Sequence, residues 1–317
     1  MRKIIFCSVF CAVALSGFGQ RVENLSGFRN AGSDHYLRLH YDNDYFTKTD
    51  RYYTQGITLE YAAPGLKNFF LSRLMLTPFT SAPSYGMTLN IFAFTPTSIE
   101  EDQILYGDRP FDANMAFQVF SIQADPDRRQ RLSTTFTLGI MGRYAFGYDI
   151  QYGIHKWTGN PLPRGWQYQV RTDAIVNYQV NYEKELFSRK GFLVNAAAEG
   201  RLGTLNDKIN AGVNLMAGRF RKPFQATASR KTEYYFFLQG RTNLVGYDAT
   251  LQGGLFNKST PYTISTDDIS RVVFQADAGV IVNFRKLLLS YTQSFITKEF
   301  ATGELHRWGG VSMGLRL

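Results

Sequence analysis

Residues 37–61 read LRLHYDNDYFTKTDRYYTQGITLEY. Leu37, Leu39 and Tyr41 alternate with Arg38, His40, Asp42 and Asp44; after a polar stretch the alternation resumes with Ile57, Leu59 and Tyr61 against Thr58 and Glu60. A period of two is that of a strand, so this stretch predicts a hairpin with a polar tip. The same period recurs along the chain. Met87, Leu89 and Ile91 alternate with Thr88 and Asn90, a weaker segment covers 115–122, and Phe136, Leu138 and Ile140 alternate with Thr135, Thr137 and Gly139. Val176, Tyr178, Val180 and Tyr182 stand against Asn177, Gln179, Asn181 and Glu183, a sorting no helix would produce. Further segments lie at 192–201, 209–220, 234–245, 272–284 and 287–295, and the last sets Val311, Met313, Leu315 and Leu317 against Ser312, Gly314 and Arg316. Counting the hairpin as two gives roughly twelve strands, an even number with one apolar and one polar face, as closed outer-membrane barrels have. The expected fold is all-β, a transmembrane antiparallel β-barrel of about twelve strands forming one domain over residues 20–317. A soluble sandwich shares the alternation but seldom needs so many strands or so polar an inner face.

Strand parity orients the connections. With a periplasmic amino terminus, those at 45–53, 95–110 and 144–165 face outward, while the short ones at 125–130, 187–191 and 284–286 are periplasmic turns. The connection 62–84 is long for its side and contains LKNFFLSRLML, which reads as a helix lying at the membrane interface.

The amino terminus agrees with export. Arg2 and Lys3 precede an apolar run over 4–15, followed by Gly17 and Gly19, the pattern of a signal peptide over 1–19 cleaved before Gln20. Cys7 and Cys11 both fall inside it, so the mature chain gains nothing from disulfides. Aromatic residues make up 15% of the chain, with 26 Phe and 19 Tyr, against 19% charged residues, a balance that suits interfacial aromatic girdles. The net charge of +9 fits anionic headgroups at a membrane surface better than nucleic acid, which an exported barrel seldom meets. A soluble protein with a basic surface is the alternative that composition leaves open.

The polar tip gathers groups able to hold a cation or a water: Asp42, Asn43, Asp44, Thr47, Thr49, Asp50 and Thr54. The chain has four histidines. His35 and His306 lie near strand ends and read as solvated, and His40 falls on the inner face of the first strand as a structural histidine. His155 sits in an outward connection, QYGIHKWTGNPLPRGWQYQ, four residues after Gln151, so one helical turn brings those two side chains together before Pro161 and Pro163 end the helix. It is either a general base or an ordinary loop histidine. There is no GxSxG elbow, no thiol outside the leader and no HExxH pair. The remaining set of a histidine, hard oxygens and hydroxyls suits hydrolysis by activated water, with a cation such as Ca²⁺ stabilising the oxyanion. Asp108, Arg109 and Asp173 are further polar candidates, although GDRPF also reads as a structured start to a loop.

NDYFTKTDRYYTQG (43–56), FTPTSIEEDQILYGDRPF (94–111), Gln151 with His155, PRGWQYQ (163–169) and DATLQGG (248–254) resemble, in order, motifs of the outer-membrane lipid A 3'-O-deacylase family, LpxR. The resemblance implies a twelve-stranded barrel that removes an ester-linked acyl group from lipid A with Ca²⁺, at a site near the extracellular end. By position it implies Asn43 and Asp44 as the Asn-Asp pair at the cation, Thr54 as the hydroxyl residue and His155 as the water-activating base. Two family features differ: Ser98, Ile99, Glu100, Glu101 and Asp102 stand where a lysine that could bind lipid A phosphate is expected, which implies a substrate with fewer phosphates or another acyl position, and Asn160 and Pro161 stand where a carboxylate is expected. The expected partners are lipid A or lipopolysaccharide and the outer-membrane bilayer, with no nucleic acid, for a monomer. A non-catalytic barrel that binds lipopolysaccharide or conducts, and a barrel phospholipase, are the alternatives.

Overall fold

The strands close into a ring. The protein is described by a computed structural model covering residues 27–29, 31–44, 51–225 and 232–317. The expected leader and the tip residues Thr47, Thr49 and Asp50 lie outside the described residues. In chain order the strands are β1 (Tyr36–Asn43), β2 (Tyr52–Ala62), β3 (Ser84–Thr95), β4 (Asp112–Asp125), β5 (Gln130–Met141), β6 (Asp173–Arg189), β7 (Phe192–Gly203), β8 (Asn206–Arg219), β9 (Glu233–Asp248), β10 (Val272–Phe284), β11 (Leu287–Ile296) and β12 (His306–Arg316). Each pairs antiparallel with its neighbours in sequence, and β1 closes the barrel against β12, with Tyr36 opposite Arg316 and Asn43 opposite Gly309. One helix of three turns, α1 (Gly147–Thr158), follows β5. No helix among the described residues is long and apolar enough to cross a membrane; crossing falls to the strands.

The period of two sorts the side chains as expected. Leu37, Leu39, Leu59, Leu89, Leu138, Val176, Val311, Met313 and Leu315 are exposed on the outer wall, an apolar band for lipid. Their neighbours Arg38, His40, Thr58, Glu60, Asn90, Asn177, Gln179 and Glu183 are buried inside. His40 is the structural histidine its strand position predicts, with Nε2 2.6 Å from Asp42 Oδ1.

The lumen is packed. Glu183, Asn195, Gln275 and Asp277 are 0% exposed, which side chains bordering a water-filled channel would not be. At the end carrying the amino terminus the chain turns into the barrel: Phe28 meets the edge of His40 at 5.4 Å between ring centres, and the Gly27 carbonyl accepts from the Tyr235 hydroxyl at 3.1 Å. Glu60 is the hub there, accepting from the Tyr36 hydroxyl at 2.7 Å, from Arg38 at 2.9 Å and from Arg29. Ion pairs Arg131–Glu183 and Arg316–Glu233 lie near this network, and Arg241–Asp277 is a further pair in the lumen.

The connections follow the parity reading. Those at 96–111, 142–172, 249–271 and 297–305 share one end, and the short 126–129, 190–191 and 285–286 share the other. The segment expected to be an interfacial helix is instead two 3₁₀ turns, Pro64–Asn68 and Phe70–Leu74. It folds back over a polar patch on the outer wall. Gln123 accepts from the Phe79 N–H and donates to the Phe79 and Ser81 carbonyls, and the Tyr178 hydroxyl donates to the Leu74 carbonyl at 2.6 Å. Phe69, extended at φ −67° and ψ 135°, divides the segment into its two turns, and the chain beyond them supplies the backbone groups that keep Gln123 from facing lipid unpaired. His306, expected to be solvated, is 0% exposed: alternation turns it inward, between the rings of Tyr52 (5.3 Å) and Trp308 (5.4 Å).

Replacing Glu60 by Ala removes the carboxylate that three buried side chains share, and breaking such a network costs about 3–5 kcal/mol. Denaturant unfolding of the refolded barrel is expected to show that loss, with Glu60→Gln losing less. Equal midpoints for Glu60→Ala and wild type would contradict the hub.

Candidate active site

Thr54 owes its position to an irregularity in β2. The register between β2 and β3 slips between Tyr53 and Gln55, and Tyr52 adopts a positive φ of 65°. A bulge adds an unpaired residue and re-aims its side chain. Tyr53 therefore points inward to pack with Phe94 and Trp308, whereas Thr54 reaches the outer side of the rim. Its carbonyl accepts from Asn43 Nδ2 at 2.7 Å, and the same amide donates to the Tyr41 hydroxyl at 3.1 Å. By alternation Asn43 and Tyr41 belong to the outer face of β1. Asp44 follows in the turn that ends the strand, 2% exposed.

The opposite wall of the site is α1. It starts after Phe146, whose φ is 62°, and stops at Gly159, φ 74°, in the left-handed conformation that caps helices. The prolines expected to end it lie beyond this stop, and one has another role: the Pro161 carbonyl accepts from His155 Nδ1 at 2.6 Å. Gln151 and His155 are both buried and one turn apart, as their spacing predicts. Gln151 joins the two halves, donating to Thr54 Oγ1 at 3.3 Å while its carbonyl accepts from Trp166 Nε1 at 2.7 Å. Small residues let the helix lie close to the barrel wall. A Cβ at Gly147 would lie 2.5 Å from the Ala113 Cβ and 2.5 Å from the Trp166 ring, and Ala93, Ala113 and Trp166 share one buried cluster.

Asn43, Thr54, Gln151 and His155 are thus assembled on the outside of the barrel rim, with Asp44 one residue from Asn43. The other candidates go elsewhere. Asp42 faces the lumen beside His40, so the tip carboxylates do not form one set. Asp108 accepts from the Thr97 N–H at 2.8 Å and its hydroxyl at 2.6 Å, which makes GDRPF a structured loop start. Arg109 is buried over the Phe94 ring at 3.8 Å, donates to Thr250 Oγ1 at 2.6 Å and pairs with Glu299. Burial pushes the Glu299 carboxyl up to about 7, with the Arg109 guanidinium pulling the other way. Asp173 accepts from the N–H groups of Phe256 (2.7 Å) and Asn257 (2.9 Å). These residues brace the loops over the barrel mouth.

The hydrogen bonds define what the site can do. A carbonyl only accepts, so the Pro161 contact places the proton on His155 Nδ1 and leaves Nε2 as the basic nitrogen. Thr54 Oγ1 accepts from Gln151, so its own proton is the one it can donate to a substrate. Asp44, the Asn43 amide and nearby carbonyls are hard oxygens, the donor set of Ca²⁺ and not of a soft metal. Among the described residues no group of three or more His, Cys, Asp or Glu could hold a metal ion, so a cation here would depend on Asp44 and neutral oxygens. Trp166, the Pro161 carbonyl and the bulge carry roles that sequence reasoning did not assign. The quoted PRGWQYQ stretch contains the tryptophan, but alternation is silent about loops.

A family model described as "Outer membrane protein LpxR" matches residues 4–317. Among solved structures, LpxR from Salmonella typhimurium aligns with a TM-score of 0.73 at 18% identity, covering 89% of this chain and 100% of that one. At this identity the likeness shows the fold. The beta domain of the Bordetella autotransporter BrkA covers 89% of this chain and 97% of its own, but its TM-score of 0.42 at 8% identity carries no argument. A comparison with curated proteins finds no match. With a family match across nearly the whole chain, this protein belongs to the LpxR family of outer-membrane proteins.

Proposed function

We propose that the protein is a lipid A deacylase that hydrolyses an ester-linked acyl chain with His155 as general base. The observation that carries this reading is the side-chain bridge from Gln151 to Thr54, which holds the helix face bearing His155 against the first hairpin. Its place supports the substrate class. On the outer wall near the extracellular rim, an ester of an outer-leaflet lipid reaches the site by lateral diffusion, whereas a luminal site would require extracting the lipid.

In the proposed reaction His155 Nε2 takes a proton from a water molecule as its oxygen attacks the ester carbonyl carbon. The Thr54 hydroxyl donates to the oxyanion that forms. Collapse breaks the acyl–oxygen bond, and the imidazolium returns the proton to the departing sugar oxygen, giving a fatty acid and a free hydroxyl. The Pro161 carbonyl holds the imidazole in the required tautomer throughout. Asp44 and Asn43 would hold a Ca²⁺, whose positive charge would stabilise the developing oxyanion. The packed lumen speaks against the conducting alternative.

Because Asp44 is the one site carboxylate among the described residues, cation affinity is expected to be weak, with half-saturation on the order of 10⁻⁴–10⁻³ M. Purified protein acting on purified lipid A should lose activity in chelator and regain it over that range of Ca²⁺, and Asp44→Ala should not regain it. Activity that persists in chelator would rule out the cation role, and release of fatty acid from phospholipid vesicles lacking lipid A would replace the substrate assignment. Gln151→Ala is expected to cut turnover about tenfold or more while the barrel's unfolding midpoint stays within error. A Gln151→Ala enzyme with full turnover would show that the bridge does not position His155.

A further inference from the structure

A concavity of about 920 Å³ opens beside the hairpin–helix site, within the range of sites that enclose small ligands. Its walls come chiefly from the two arms of the 142–172 connection, and they include Arg143, Arg164 and Arg171. All three arginines are exposed. Among the described residues none of their guanidinium groups has an ion pair or a hydrogen bond. The buried arginines are matched to carboxylates instead: Arg29, Arg38, Arg109, Arg131, Arg241 and Arg316 each form an ion pair.

The grouping is enforced by the backbone. Gly142, with φ 84°, donates its N–H to the Ala113 carbonyl at 2.8 Å. It packs so closely on the far arm that a Cβ there would lie 2.6 Å from the Thr172 nitrogen and 2.8 Å from the Arg171 carbonyl carbon. That contact brings Arg143 and Arg171 to one place although 28 positions separate them. Arg164 is fixed separately, its N–H donating to the Ile99 carbonyl at 2.8 Å.

Like charges gathered this way repel one another unless an anion joins them, and the guanidinium fork fits phosphate. The other walls narrow the ligand further. Tyr144, Phe146 and Tyr148 are 63%, 50% and 41% exposed and offer flat rings. Asp102 and Asp149 also line the groove, and carboxylates accept from sugar hydroxyls while repelling phosphate, so a ligand must offer both groups. Trp166 belongs to this groove and, through its Nε1–H, to Gln151 of the site.

We propose that this groove holds the phosphorylated sugar headgroup of the lipid. The arginines grip phosphate, and the rings and carboxylates hold the sugar. The lipid class rests on the deacylase reading; selectivity for a phosphorylated sugar does not.

The full protein in detergent micelles, and its R143Q/R171Q variant, can be titrated with lipid A bearing its phosphates and with lipid A stripped of them by a phosphatase. Wild type is expected to prefer the phosphorylated form by about tenfold or more, and the variant to lose that preference while binding the stripped form as wild type does. R143K/R171K should restore part of it. Equal wild-type affinity for both forms, or equal weakening of both in the variant, would overturn the proposal, as would displacement by inorganic phosphate at micromolar concentration, which would mark a free-phosphate site. Discrimination without hydrolysis by wild type would keep the groove and remove the deacylase reading. Hydrolysis of both forms with the same KM would do the reverse.

Discussion

In hydrocarbon a backbone N–H or C=O without a partner costs several kcal/mol, so a sheet can cross a membrane only if it closes. Pairing of β1 with β12 meets that constraint, and most of the remaining structure follows from it. Closure makes every strand residue either a wall residue facing lipid or a luminal one. The luminal residues are charged and amide side chains that must satisfy one another, which is why Glu60, Glu183, Glu233 and Asp277 each meet an arginine. The polar interruption of the outer wall at Ser121, Gln123 and Thr134 obeys the same rule, through the 63–83 connection folded over it.

The same constraint explains where chemistry can be placed. Strand interiors are committed to lipid contact or luminal packing, so free design space lies at the rim, where loops leave the sheet. There a single bulge turns Thr54 out of the alternation, and a helix stopped by Gly159 sets His155 opposite it. The close approach of α1 to the wall depends on residues without bulk, Ala93, Ala113 and Gly147. The adjoining groove uses the same loop backbone for a second purpose, its arginines held by the contact at Gly142.

The fold was legible because strand alternation is a local signal: strands such as 176–182 and 311–317 sort themselves residue by residue. Gln151 and His155 were legible as a pair because helical spacing is also local. What alternation could not show is where a segment leaves its period. The slip at Thr54 and the burial of the inward-facing His306 against Tyr52 depend on contacts between segments far apart in sequence. The 62–84 stretch misled for a related reason. Its apolar residues resemble an interfacial helix, but Phe69 is extended and splits them into two short turns, with the following residues bonded to Gln123 on the wall beneath. The arginine groove had no sequence signature, since Arg143, Arg164 and Arg171 have no common spacing and are joined only by the folded loop.

In the proposed reaction a histidine held on the outside of the rim cleaves an acyl ester of a lipid in the same leaflet. Mass spectrometry of lipid A extracted from cells making the wild-type protein or His155→Ala at equal levels in the outer membrane tests it most directly. Loss of one acyl-chain mass is expected with wild type and none with the variant. The same loss with His155→Ala, or unchanged lipid A with well-folded wild type, would contradict it.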